Sequence, residues 1–188
     1  MRKAIVLFGV MVIAQWALPW WTIRDSERVL RDGKAFMFRT APIDPHDPFR
    51  GDYVTLRFDL EDQDVRHEHG PNTIGDMVYV VLVETNEVAA IDRVLPEPPA
   101  EGISYLMCEV AYSPYSDSAV FRIDLPFDRF YLEEGSGRRT EELISERVAE
   151  TGPQLPAYAL VRVLDGQGVI EDLIVGDRSI KEWLEEAP

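Results

Sequence analysis

The stretch that decides the fold is Asp76-Met-Val-Tyr-Val-Val-Leu-Val-Glu84, followed by Thr85-Asn86-Glu87 and a second apolar run over residues 88–95. Its first arm is rich in β-branched residues and apolar almost without a break, as a well-buried strand requires. Two such runs separated by a short polar break form an antiparallel hairpin. A similar unit lies near the end of the chain: Ala157-Tyr-Ala-Leu-Val-Arg-Val-Leu164, the turn Asp165-Gly-Gln-Gly168, then Val169-Ile-Glu-Asp-Leu-Ile-Val175. The two hairpins read as candidates for a divergent internal duplication, with turns of different length.

Further strands surround these units. Lys34-Ala-Phe-Met-Phe-Arg-Thr40 sets Phe36 and Phe38 on one face. Over residues 53–60, Val54, Leu56, Phe58 and Leu60 alternate with Tyr53, Thr55, Arg57 and Asp59, which puts Leu56 and Phe58 on the core face. Residues 61–75 are polar, contain Gly70-Pro71-Asn72 and read as a surface loop. Beyond the stiff link Pro96-Glu-Pro-Pro99, strands are expected around 103–112 and over 119–125, the latter ended by Pro126. One helix is expected over 141–149, capped by Thr140, with Leu143, Ile144 and Val148 as its apolar stripe, and Gly152-Pro153 stops it. A short tail, Ile180-Lys-Glu-Trp-Leu184, would set Trp183 on the sheet. The expected class is mainly β (α+β), an antiparallel β domain with one packed helix.

Residues 4–21 form an 18-residue run without a charge, preceded by Arg2 and Lys3. This reads as a transmembrane helix, with Trp16, Trp20 and Trp21 where an interfacial aromatic belt would lie. A cleaved signal peptide begins the same way, but the small-x-small cleavage site is replaced here by Gln15-Trp16 and Leu18-Pro19-Trp20-Trp21. The expected organisation is an anchor and stalk helix over 1–32, ending at Gly33 as C-cap, and an exported domain over 33–188. Basic residues on the short N-terminal side keep that end in the cytoplasm, which puts the domain on the far side of the membrane.

The 188-residue chain carries 34 acidic and 19 basic residues, a formal net charge of −15. Without Arg2 and Lys3 the basic residues fall to 17, so the exported part is near −17. That charge excludes nucleic acid as a natural partner and repels anionic lipid. A lone cysteine, Cys108, excludes a disulfide framework, and its apolar neighbours Leu106, Met107 and Val110 place it in a buried strand.

Between the first two strands lies Pro42-Ile-Asp-Pro-His-Asp-Pro-Phe-Arg-Gly-Asp-Tyr53, in which three prolines stiffen the backbone around Asp44 and Asp47. Gly51, Asp52, Tyr53, Leu56 and Phe58 resemble the signature of the GDYXXLXY family, with Phe58 in the place of the final Tyr. Tyr131-Leu-Glu-Glu-Gly135 resembles a second, looser landmark of that family. The resemblance runs from Phe36 to Val175. It implies a membrane-anchored bacterial protein, and since family members are often encoded beside multi-pass membrane proteins, it implies such a partner in the bilayer.

Asp44, Asp47, Arg50, Gly51, Asp52, Tyr53 and Leu56 form the candidate recognition loop and motif. Asp52 can accept backbone N–H bonds that lock the turn, and Arg50 can pair with Asp44 or Asp47. Arg50-Gly51-Asp52 matches an adhesion tripeptide, but Asp52 begins a strand. His46, His67 and His69 are the candidate metal ligands, alongside Asp44 and Asp47. A signal-peptidase analogy fails for want of a serine upstream of the Gly-Asp, the residues there running from Asp44 to Phe49. No phosphate loop, dinucleotide glycine pattern or CxxC is present, so no cofactor is expected. The expected function is a non-enzymatic accessory or docking protein for another envelope membrane protein. A metal-dependent or carboxylate-based hydrolase at the cell surface is the alternative.

Overall fold

The computed structural model describes residues 2–40, 53–66, 73–112, 120–131 and 157–182. Among the described residues the helix α1 (Arg2–Asp32) leads into eleven strands: β1 (Lys34–Thr40), β2 (Tyr53–Thr55), β3 (Val65–Arg66), β4 (Met77–Thr85), β5 (Val88–Leu95), β6 (Tyr105–Tyr112), β7 (Val120–Asp124), β8 (Arg129–Tyr131), β9 (Ala157–Leu164), β10 (Gln167–Val175) and β11 (Arg178–Ser179). They form an antiparallel sheet of order β1-β9-β10-β11, a second of order β3-β7-β6-β4-β5, and the ribbon β2-β8. The mainly β, antiparallel expectation holds. The helix expected over 141–149 and Trp183 lie outside the described residues; from the tail, Ile180 is buried.

One core joins the sheets. Phe36 and Phe38 of β1, Ala159, Val161 and Val163 of β9, and Leu173 and Val175 of β10 share a cluster with Val78, Val80 and Leu82 of β4, Leu106, Cys108 and Val110 of β6, and Phe121 and Ile123 of β7. In β9 every second residue is buried, as a half-covered strand demands. The Met107 N–H donates to the Gly166 carbonyl at 2.8 Å, which ties the turn between β9 and β10 to the opposite sheet.

Leu56, Phe58 and Leu60 are buried as expected, but the strand itself stops at Thr55. Beyond it the backbone bonds elsewhere: Leu56 N–H to the Asp128 carbonyl at 2.7 Å and Asp59 N–H to the Arg39 carbonyl at 3.1 Å. Phe58 meets Phe38 and Phe127 edge to face, with centroids 5.9 and 5.3 Å away, and Phe38 meets Phe127 at 5.4 Å. Each such pair adds about 0.5–1.5 kcal/mol beyond the area it buries.

The reading of 61–75 as a surface loop is corrected at its start. Leu60 and Val65 are buried, and β3 pairs with β7. The Glu61 carboxylate accepts the N–H groups of Phe58 at 3.0 Å and Leu125 at 3.2 Å, which pins this polar segment to the end of β7. Burial pushes the Glu61 carboxyl above its ordinary range despite those bonds, which pull the other way, and nearby Asp124 adds to the rise.

The two hairpins are more alike than their sequences suggest. The turn expected over 165–168 closes within Asp165-Gly166, so both turns have two residues, Asn86-Glu87 with φ of 51° and 67° and Asp165-Gly166 with φ of 49° and 86°. Paired positive φ values match the twist of the flanking strands. In each second strand the register shifts at the fifth residue, Asp92 in β5 and Glu171 in β10.

Among the described residues no helix is long and apolar enough to cross a membrane. α1 is continuous for 31 residues, with Pro19 inside it. Its last turns pack on the hairpin β9–β10: Val29 is buried, Arg28 meets Asp165 at 3.2 Å and Gln167 donates to Asp25 at 2.8 Å. Gly33 closes the helix through its N–H to the Val29 carbonyl at 2.9 Å, as expected of a C-cap.

Three outcomes follow. A Cβ at Gly168 would overlap the Phe127 ring, whereas one at Gly102 meets nothing but strains a φ of +85°. Gly168→Ala therefore costs about 1–3 kcal/mol by overpacking and Gly102→Ala about 1–2 kcal/mol, and only Gly168→Ala disturbs near-ultraviolet aromatic ellipticity. The Cys108 thiol, buried and pushed up to about 12 chiefly by desolvation, resists maleimide at pH 8 until denaturant is added; modification of the folded chain contradicts the packing. The raised Glu61 value means that its contribution to stability is full below the ordinary value of 4.5 and is lost as pH rises through the folded-state value. In urea unfolding of the full chain, the stability of wild type relative to Glu61→Gln falls as pH rises from 4.5, and a rise over that window overturns the assignment.

Candidate functional site

Of the motif residues expected to matter, Asp44, Asp47, Arg50, Gly51 and Asp52 lie outside the described residues, as do His46, His67 and His69. Among the described residues no cluster of His, Cys, Asp or Glu could hold a metal. Tyr53 and Leu56 are in view and serve different ends. Leu56 is a core residue, while Tyr53, three positions earlier and so on the opposite side of an extended chain, looks outward.

Tyr53 is the register partner of Tyr131, and their rings stand 5.9 Å apart at 51°. The pairing of β2 with β8 thus brings together the two segments that carry the family resemblance, although 77 positions lie between them in the chain. Arg129 completes the group. Its guanidinium lies over the Tyr53 ring at 5.2 Å and stands 3.7 Å from Asp128. Its charged form is favoured first by a hydrogen bond donated to Tyr131, then by Asp128 and Tyr53. A cation held against aromatic faces is fixed in direction while its charge stays at the surface.

Arg129 and Tyr131 form one wall of a cleft of about 510 Å³ between β8, β10 and α1, with Tyr53 behind Arg129. Ser26, Asp128, Arg129, Tyr131, Glu171 and Lys181 supply its polar lining, and Phe127, Phe130 and Ile170 its apolar part. The register shift in β10 builds the second wall. Glu171, the extra residue there, pairs with Arg162 at 2.6 Å, and its carbonyl accepts the Lys181 ammonium at 2.9 Å. Lys181 is set by its own backbone as well, its N–H donating to Ser179 Oγ at 3.1 Å, while that hydroxyl donates to Asp172 at 2.6 Å. Arg162 also reaches the Gly33 carbonyl at 3.4 Å, which joins the helix end to the same network.

The arrangement suits binding. Two cations and two carboxylates rim an apolar floor, a set that can orient a ligand by charge-assisted hydrogen bonds. Cys108 is walled off in the core and cannot serve the cleft as a nucleophile. Arg129, Lys181 and Ser26 are functional candidates that sequence reasoning missed. The available signal was Tyr131, already marked by the second landmark, whose strand neighbour at i−2 is Arg129.

No curated protein and no solved structure matches this chain. The model of the GDYXXLXY protein family matches residues 15–173, a span that holds both β sheets nearly whole together with the Tyr53–Tyr131 pairing, and the chain belongs to that family.

Proposed function

We propose that this protein is a single-pass, membrane-anchored domain on the periplasmic or extracellular side of a bacterial inner membrane. It acts without catalysis, as an accessory or docking protein for another envelope membrane protein, for which a multi-pass partner is the natural candidate. The observation that carries the anchored part is the surface of α1. Phe8, Met11, Ile13, Trp16, Leu18, Trp20, Trp21 and Ile23 are all exposed. With 3.6 residues per turn they fall around the whole circumference, leaving no gap wider than about 80°. A protein groove covers one face of a helix, whereas lipid covers every face.

Sequence supports the same reading. As a helix, the uncharged residues 4–21 rise about 27 Å, close to the ~30 Å of a hydrocarbon core. Arg2 and Lys3 favour a cytoplasmic N-terminus. The docking part rests on the cleft, whose rim of fixed charges and exposed Tyr131 has the composition of a recognition surface.

A C-terminal alkaline phosphatase fusion of the full chain is expected to be active, and the protein to resist carbonate extraction. A fusion fluorescent only inside the cell, or a freely soluble protein, removes the anchored reading. A photo-crosslinker at position 131 is expected to trap an integral membrane protein, and Arg129→Glu to abolish the adduct. A chain that forms no adduct and runs alone in mild detergent removes docking.

A further inference from the structure

The cleft beside α1 combines two properties that single out a ligand class. The first is charge. Arg129 and Lys181 face Asp128 and Glu171, so the lining is balanced within a chain of formal net charge −15. A simple anion brought to this surface is repelled by the surplus carboxylates around it, and a simple cation finds cheaper sites elsewhere on the same surface. A small zwitterion meets neither penalty. The Lys181 ammonium has three donors, of which the Glu171 carbonyl takes one, and Arg129 offers a planar fork suited to phosphate oxygens. Glu171 is occupied by Arg162 at 2.6 Å, while Asp128 is only loosely paired with Arg129 at 3.7 Å. Asp128 is therefore the carboxylate placed to receive a ligand's positive group.

The second property is depth. Ser26 lines the cleft and lies five residues beyond Trp21, about 7.5 Å along a helix axis. The polar layer on each side of a hydrocarbon core is about 5–7 Å thick. With Trp21 at the inner boundary of that layer, the cleft at Ser26 meets its outer edge, where lipid headgroups face water.

We infer that this cleft binds the phosphoethanolamine headgroup of a bilayer lipid, with Arg129 and Lys181 on the phosphate and Asp128 on the ammonium. A primary ammonium suits a carboxylate, whereas the quaternary ammonium of phosphocholine needs an open aromatic cage. Here the aromatic pair Tyr53 and Tyr131 is already engaged by Arg129. The lipid source of the ligand rests on the anchored reading proposed above; the headgroup chemistry rests on the cleft alone.

The test uses the purified full chain in mild detergent, titrated by thermal shift with O-phosphoethanolamine, phosphocholine and inorganic phosphate. O-phosphoethanolamine is expected to give a saturable rise in Tm, with the other two at least about tenfold weaker. Lys181→Gln, an exposed change that leaves the fold intact, weakens that response about tenfold, Arg129→Gln does likewise, and Lys181→Arg restores most of it. In nanodiscs, native mass spectrometry is expected to show phosphatidylethanolamine retained in preference to phosphatidylcholine. An equal response to inorganic phosphate makes this a general anion site and overturns the inference, as does the lack of any saturable response. Binding of the soluble headgroup by a chain whose reporter lies inside the cell removes the anchored reading and leaves the cleft chemistry standing. An exported chain that ignores the headgroup does the reverse.

Discussion

Everything positioned in this domain depends on the contact among Phe38, Phe58 and Phe127. Phe38 brings β1, Phe58 brings the segment that follows β2, and Phe127 brings the lead-in to β8, so three distant pieces of chain meet in one edge-to-face cluster. Phe127 can enter only because Gly168 has no side chain to block it. Once its ring is seated, the next residues have little choice: the Asp128 carbonyl takes the Leu56 N–H, and Arg129 emerges over Tyr53. The aromatic that ends the family signature is thus a core residue, and the Tyr within the signature is a surface residue aimed by that core.

The surface chemistry is dominated by arginines already tied to carboxylates, including Arg28–Asp165, Arg39–Asp59, Arg93–Asp92 and Arg122–Asp64. Exposed pairs of this kind contribute about 0–1 kcal/mol each, so they shape the field more than the stability. Arg162–Glu171 differs because both side chains are about two-thirds covered, the pairing is close, and it locks an irregular point of a strand. The carboxylates left over set the acidic character of the molecule and make the balanced lining of the cleft a local exception.

Much of the sheet was legible in the sequence because burial on one face imposes alternation. Phe36 and Phe38, the β4–β5 and β9–β10 hairpins, and the core position of Cys108 all follow from that rule. What escaped depends on partners far away in the chain. β3 has two residues and a single buried side chain, and it exists because β7 pairs with it and Glu61 clamps its approach. The second hairpin's turn is shorter than its sequence suggests because Gly166 and Gly168 look alike there; one adopts a positive φ, and the other makes room for a ring. The cleft was illegible for the same reason. Arg129, Lys181 and Ser26 come from three regions that no local pattern connects, while among the described motif residues only Tyr53 touches this group, through the Arg129 guanidinium over its ring.

The joint between helix and sheet has a mechanical meaning. α1 ends at Asp32, Gly33 caps it, and β1 begins at Lys34, with Val29 and Arg28 already seated on the neighbouring hairpin. A joint with slack lets a helix and a sheet turn independently; this one has none. The body is carried like a head on a stiff neck, so any lean or rotation of the helix swings it bodily, and whatever engages the far side can in turn pull on the helix.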